Sequence, residues 1–267
     1  MSGMLNVSAY LERLQYRGSR DASPDTLREL QLAHLIAVPF ENLDIHLGRP
    51  VVLDEAAFFK KIVAHRRGGF CYELNGLFAA LLRALGFGVT LLSARVARED
   101  GSFSPEFAHL TLLVDLPGGG PRYLADVGFG DCFREPLSFT DPAAQVASTL
   151  DDGRAHRLAH DGEEVTLLRR EDDGPWQPQY AFSMAPRRLE EFAAMCRFQQ
   201  TSPQSHFTQR RICSRVTPTG RITLSDLAFI TTEHRVRNER ALSGEPEWRA
   251  LLRAHFGIEL GTEALLA

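Results

Sequence analysis

Residues 67–78 read Arg67-Gly68-Gly69-Phe70-Cys71-Tyr72-Glu73-Leu74-Asn75-Gly76-Leu77-Phe78: two glycines, a cysteine, then the first residues of an apolar stripe. Leu74, Leu77, Phe78, Leu81, Leu82 and Leu85 recur at offsets of three and four, the spacing of one helix face. Gly86 follows where a helix C-cap belongs. The pattern predicts a core helix with Cys71 at or near its N-terminus. Free N–H groups and the helix dipole favour negative charge there, which should lower a thiol pKa. Gly68 and Gly69 allow a tight turn and leave room for another molecule beside the sulfur. Cys71 reads as a candidate nucleophile.

Outward from that helix, residues 1–85 read as mostly helical. Apolar residues at helical spacing cover 7–16. Ser23-Pro24-Asp25 opens a second helix, with Ser23 as N-cap and Pro24 in the first turn. Leu27, Leu30, Leu32, Leu35 and Ile36 line its inner face until Pro39 ends it. Residues 38–44 read as a loop, and a third helix runs from Asp54 to about residue 63. After Gly86 the period changes from 3.6 to 2. Strands are predicted at 89–96, 109–115 and 123–127, the last two joined by the Pro117-Gly118-Gly119-Gly120-Pro121 turn. Further strands fall at 154–158, 165–170 and 179–184, separated by turns at 151–153 and 171–174. A helix returns at 186–197, a hairpin spans 212–224, and a last helix starts near Pro246. Three segments result: 1–85 helical, 86–185 antiparallel and curled sheet, 186–267 mixed.

The chain has 267 residues, 44% hydrophobic and 24% charged, with a formal net charge of −4. That suits a soluble globular protein with a sizeable core. No long Lys/Arg run marks a nucleic-acid surface. No apolar run approaches a membrane span, and the N-terminus lacks a secretory pattern, so a cytoplasmic protein is expected. Cys71, Cys132, Cys196 and Cys213 form no CxxC pair. Free thiols follow, rather than a disulfide frame or a metal cluster; apart from Cys71 they read as small buried hydrophobes.

A thiol nucleophile needs a base, and the base needs an acceptor that holds its tautomer. His109 opens one strand of the glycine-turn hairpin and Asp126 closes the other. Antiparallel pairing about residue 118 sets them near each other at the hairpin's open end. Taken singly, Asp126 reads as a turn former and His109 as a strand-end polar residue. His34, His46, His156, His160, His234 and His255 read as surface residues, and His65 as a helix C-terminal cap. Arg95 and Arg98 follow the first sheet strand, where solvated strand-end charge and phosphate contact are both open readings.

Together these residues carry a resemblance. Arg67-Gly68-Gly69-x-Cys71-x-Glu73-x-Asn75, preceded by Val38-Pro39-Phe40-Glu41-Asn42-Leu43 and followed by His109-Leu-Thr-Leu and Asp126-Val127-Gly128-Phe129-Gly130, resembles the arylamine N-acetyltransferase family. The match runs in order over the first half of the chain. The resemblance implies an α+β, cysteine-protease-like fold of three parts: helical bundle, β-barrel and α/β lid. It implies acetyl-CoA as co-substrate, small aromatic amines or hydrazines as acceptors, and a Cys71–His109–Asp126 triad. Gly128, Phe129, Phe207 and Arg98 become candidate contacts of the donor and its acceptor. Glu41, Arg67, Glu73 and Asn75 become supports of the nucleophile loop, with an Arg–Glu pair as the structural reading. Monomer and homodimer are both compatible with the sequence.

Two rival readings share these residues. One is another thiol hydrolase or transglutaminase-like acyltransferase; the other is a ligand-binding protein that keeps the fold without the chemistry. Discharge of an acyl-cysteine by water or by amine separates the first, and the alkylation rate of Cys71 separates the second.

Overall fold

In the computed structural model, residues 5–131, 133–139 and 153–261 are described, with the backbone alone at 146–147. Cys132 and the 151–152 part of a predicted turn lie outside the described residues.

The N-terminal part is helical: α1 (Val7–Arg13), α2 (Pro24–Ala37), a short α3 (Leu43–His46), α4 (Glu55–Phe59) and α5 (Cys71–Ala84). Ser23 caps α2 through the Thr26 N–H, with Pro24 at its first turn, because Pro lacks the N–H that would go unpaired there. Residues 54–63 are expected as one regular helix. Instead α4 passes into a π-turn over Lys60–Ala64. Twelve of the fourteen α5 residues are buried, so α5 is the axis of the helical part, and Gly86 ends it at φ +94°.

β2 (Gly88–Val96), β3 (His109–Asp115), β4 (Arg122–Ala125) and β5 (Leu137–Ser138) lead into β6 (Val146–Ala147), β7 (Arg154–Asp161), β8 (Glu164–Glu171) and β9 (Gln177–Ser183). They form one antiparallel sheet in the order β5-β4-β3-β2-β9-β8-β7-β6. The sheet curls until β5 comes back against β7, giving a barrel whose interior holds Leu92, Leu113, Leu124, Leu167, Tyr180 and Phe182. Leu110, Leu112 and Val114 point the other way, into the core around α5. Both faces of β3 are therefore buried, which brings the barrel and the nucleophile helix into one body.

After α6 (Ala193–Thr201) and α7 (His206–Gln209) comes a second sheet of β10 (Ile212–Thr217), β11 (Gly220–Ser225), β12 (Ala228–Glu233) and β13 (Val236–Ala241), covered by α8 (Glu245–Phe256). Trp248, Leu252 and Phe256 of α8 pack on Ile222, Leu224 and Phe229. Its fifth strand comes from far upstream: β1 (Phe40–Glu41) pairs with β10, Phe40 opposite Ser214 and Glu41 opposite Cys213. The segment expected as a loop is thus the edge of the C-terminal sheet.

The inner face of α2 also differs from the expected one. Leu27, Leu30, Gln31 and His34 are buried, while Leu35 and Ile36 are only partly covered. His34 is fully buried, not a surface residue, and its ring lies between Tyr10 and Phe78 with neither nitrogen hydrogen-bonded. His46 and His156 are buried as well. Burial first, then the Arg13 charge, pushes the His34 pKa down to about 3. An unfolded chain takes up that proton near pH 6.5 and the folded chain does not. Folding stability is therefore complete above pH 6.5 and falls with decreasing pH until about 3, by at most about 1.4 kcal/mol per pH unit for this group. Urea titrations of His34→Leu should show a flatter pH dependence over that interval; an unchanged profile would remove His34 from the acid response.

Candidate active site

Cys71 is the first residue of α5, following Phe70 in an extended conformation. Glu73 fixes the turn: its Oε2 accepts from the Phe70 N–H at 3.2 Å, the reach-back of a capping box. The chain just before it is held by β1, since the Glu41 N–H donates to Gly69 O at 2.8 Å. A Cβ on Gly68 would come within 2.0 Å of Pro39 O. Glycine is required there for the close approach of two backbones, rather than to leave room for a second molecule as expected.

Beneath this loop lies a buried ion cluster. Arg67 Nη2 sits 2.8 Å from Glu41 Oε1 and 3.1 Å from Asp44 Oδ1. Lys61, turned inward by the π-turn, sits 2.8 Å from Asp44 Oδ2 and 2.9 Å from Glu73 Oε1. The expected Arg–Glu lock exists between Arg67 and Glu41, while Glu73 takes Lys61. Sequence reasoning missed Lys61 and Asp44, because nothing in a Lys60-Lys61 pair says which lysine turns inward. Burial pushes the Glu73 carboxyl up even against the pull of Lys61. Removing one cation strands buried carboxylates. Arg67→Ala is expected to lose about 3–5 kcal/mol of stability, read as a lower denaturant midpoint; a loss under about 1 kcal/mol would mean the cluster is dispensable.

The His109–Asp126 expectation meets a specific geometry. β3 and β4 pair with Leu112 opposite Ala125 and Asp115 opposite Arg122. This is a register two residues away from one that sets His109 directly opposite Asp126. Continued, it sets Asp126 opposite Thr111, with His109 two residues along on the same face. The side chains still meet: His109 Nε2 lies 2.7 Å from Asp126 Oδ2. Both residues are almost wholly buried.

Asp126 is surrounded by donors. Asn75 Nδ2 donates to its Oδ1 at 2.8 Å, the Gly128 N–H donates to the same oxygen at 2.9 Å, and the Tyr180 hydroxyl donates to Oδ2 at 2.9 Å. The Asp126 N–H donates to Gln31 Oε1 at 3.2 Å. Asn75 also donates to Leu110 O at 2.6 Å and accepts from the Val127 N–H at 2.9 Å. It ties the nucleophile helix to β3 and to the turn after β4. Burial alone would push the Asp126 carboxyl up; His109, Asn75 and the Gly128 N–H hold it below the usual carboxylate range.

At Cys71 burial outweighs the helix end. It pushes the thiol pKa up, against backbone hydrogen bonds at Leu110 and Tyr72 that pull it down, so the lowered pKa expected from the helix start alone is overturned. Cys71, His109, Gly128, Phe129 and Phe207 line one cleft of about 1030 Å³, with Phe40, Met195 and Phe198 among its apolar walls. Gly128 packs against the nucleophile, where a Cβ would meet Cys71 Cα at 2.8 Å. The Phe129 ring stands 5.1 Å from the His109 ring and 4.9 Å from Tyr180. Phe207 lines the same cleft, 5.8 Å from Phe70, on a segment that Asn42 holds by donating to the Phe207 and Arg210 carbonyls. Arg98 lines the cleft beside Glu99 and Asp100. Tyr180 and Gln31 escaped sequence reasoning; a tyrosine in an inward strand position is the one signal that pointed to a buried hydroxyl needing a partner.

Comparison with known proteins places this chain in one class, the acyltransferases. An N-acetyltransferase family model matches residues 24–265. The chain belongs to the arylamine N-acetyltransferase family. It is 37% identical to the arylamine N-acetyltransferase of Mycolicibacterium smegmatis over 82% of this chain and 80% of that one. It is 34% identical to the arylamine N-acetyltransferase / N-hydroxyarylamine O-acetyltransferase of Salmonella typhimurium, over 98% and 94%. The Mycobacterium marinum arylamine N-acetyltransferase superposes with a TM-score of 0.87 at 33% identity, covering 95% and 93% of the two chains. The same enzyme in complex with CoA gives 0.86 at 32% identity over 95% and 93%. The α+β, three-part architecture of the chain is that of these enzymes. Among the described residues no helix is long and apolar enough to cross a membrane.

Proposed function

We propose that the chain transfers the acetyl group of acetyl-CoA to the nitrogen of arylamines or arylhydrazines in two half-reactions through an acetyl-cysteine on Cys71. The observation that carries this reading is the buried His109–Asp126 pair at 2.7 Å, opening on the cleft that Cys71 lines. With Nε2 committed to Asp126, Nδ1 is the nitrogen that exchanges a proton with the thiol. Proton transfer from Cys71 to His109 makes the thiolate. The new S–C bond forms as the donor's C–S bond breaks, and coenzyme A leaves with the proton from His109. The amine then attacks the acetyl carbon, its proton passes to His109, and the Cys71 thiol is restored. The Cys71 N–H at the helix start is positioned to donate to the oxyanion.

Asn75 and Tyr180 position Asp126, and Glu41, Arg67 and Glu73 hold the loop. Gly128, packed against Cys71, lines the passage for the donor arm. Phe129 and Phe207 line the cleft with Cys71 and offer ring faces to an aromatic acceptor, and Arg98 lines an exposed part of the same cleft. The CoA-bound Mycobacterium marinum enzyme, similar along nearly the whole chain, supports coenzyme A as the donor.

Incubation with acetyl-CoA in the absence of amine should leave one acetyl group on the intact protein, mapped to Cys71 by peptide mass spectrometry. Addition of an arylamine should remove it faster than water does. An acetyl group found elsewhere, or none, would defeat the reading, and discharge by water alone would favour a hydrolase.

A further inference from the structure

From Asp126 the chain runs along the cleft through Gly128, Phe129 and Gly130 to Asp131. There three guanidiniums from three strands meet one carboxylate. Arg154 Nη1 of β7 lies 2.8 Å from Asp131, Arg221 Nε of β11 3.1 Å, and Arg169 Nη1 of β8 3.5 Å. Arg221 also donates to Ser214 Oγ at 2.7 Å. Asp131, Arg221 and Ser214 line the same cleft as Cys71 and His109. The Asp131 side chain is 42% exposed, so this anion is held partly in solvent on the cleft wall, not in the core. Burial would push the Asp131 carboxyl up, yet Arg221, Arg154 and Arg169 hold it down to about 2. Glu171 stands behind Arg154 and Arg169 at 3.6 and 3.8 Å.

Another exposed stretch of the cleft wall has the opposite composition. Arg98 is followed there by Glu99 and Asp100, and all three line the cleft. One guanidinium beside two carboxylates is a poor place for a multiply charged anion. Guanidinium forks suit phosphate oxygens, with five N–H donors on each. Asp131 lies five positions beyond Asp126, a reach of at most roughly 17 Å. A donor whose thioester lies at Cys71 has its phosphates at the far end of an extended pantetheine arm. Its charged end must therefore sit further along the cleft.

We propose that Arg154, Arg169 and Arg221 around Asp131 anchor the phosphate groups of the acyl donor, so that the nucleotide end of coenzyme A leaves the cleft between the barrel and the C-terminal sheet. The inference rests on the acetyl-transfer reading above and adds the direction in which the donor lies. Arg221 is the central member, since it alone of the three lines the cleft and comes from the C-terminal sheet. A purely structural reading, in which the cluster only pins the barrel to that sheet, predicts a different response.

The test compares acetyl-CoA with S-acetylpantetheine, which keeps the thioester and the arm but has no phosphate. In Arg221→Ala and Arg169→Ala, the ratio of kcat/KM for acetyl-CoA to that for S-acetylpantetheine should fall roughly tenfold to a hundredfold, the size of one charge-assisted hydrogen bond. Arg221→Lys should recover part of the ratio. Added salt should lower the ratio less in Arg221→Ala than in the unaltered protein. The proposal is overturned by a ratio unchanged in both alanine variants, by equal losses with both donors alongside a lower Tm, or by a ratio that falls only in Arg98→Ala. It is equally overturned if Arg221→Ala instead changes the preference for a carboxylate-bearing arylamine over a neutral one. If the unaltered protein takes an acetyl group from neither donor, it is the transfer reading that fails.

Discussion

Replacing His109 by alanine is expected to silence Cys71, lowering the single-turnover rate of acetylation by at least ~10³–10⁴. The reason lies in the balance of effects on the sulfur. A helix N-terminus offers about half a positive charge, and backbone hydrogen bonds at Leu110 and Tyr72 favour the thiolate. Burial of Cys71, with the negative charge of Asp126 nearby, acts in the opposite direction and wins. A thiolate at neutral pH therefore requires a proton acceptor on the spot, and an imidazole whose imidazolium form is held by a buried carboxylate supplies it. Iodoacetamide reads the same property without any acetyl donor. Alkylation of Cys71 should slow by a similar factor in His109→Ala, whereas the buried Cys196 and Cys213 should stay unreactive in both proteins. Equal alkylation rates before and after the substitution would show that the thiol ionises without His109.

The parts of the molecule that were legible in the letters are those with a repeating local cause. Leu74, Leu77, Phe78, Leu81 and Leu82 repeat every three or four residues, and α5 follows them. The prolines and glycines of 117–121 fix one hairpin, and with it the proximity of His109 and Asp126, though the register lies two residues away from one that sets the two directly opposite. β1 was hidden because two residues are too few to show a period, and its partner β10 lies about 170 positions on. β12 and β13 were hidden for another reason. Every residue of β13 is exposed, so no apolar alternation betrays the strand, while charged Arg237, Glu239 and Arg240 guard the sheet edge. The site divides along the same line. Cys71, His109, Asp126 and Asn75 stand in short motifs. Gln31 and Tyr180 reach Asp126 across 95 and 54 positions, contacts that only the packed barrel creates. His34 misled because a polar letter on an apolar face says nothing of how deep that face lies.

Asp126→Asn should fail in two measurements at once, and the arrangement of donors explains why. Asp126 Oδ1 accepts from Asn75 and from the Gly128 N–H, and Oδ2 accepts from Tyr180 and faces His109 Nε2. A carboxylate accepts at both oxygens; an amide has one oxygen and one NH₂ group. If the NH₂ faces Asn75 and Gly128, two buried donors confront a third. If it faces Tyr180 and His109, the hydroxyl loses its acceptor and the imidazole is driven to the tautomer that carries its proton on Nδ1, toward the thiol. Either orientation leaves buried donors unpaired, at about 1–3 kcal/mol each, so the denaturant midpoint should drop. Loss of the tautomer and of the charge that holds the imidazolium should lower turnover by ~10⁴. Tyr180→Phe separates the two effects, because it removes one donor to Oδ2 and leaves the charge in place. A small loss of activity there, beside a large loss in Asp126→Asn, fits a carboxylate acting through His109. Full turnover in Asp126→Asn would show that the imidazole needs no anion behind it.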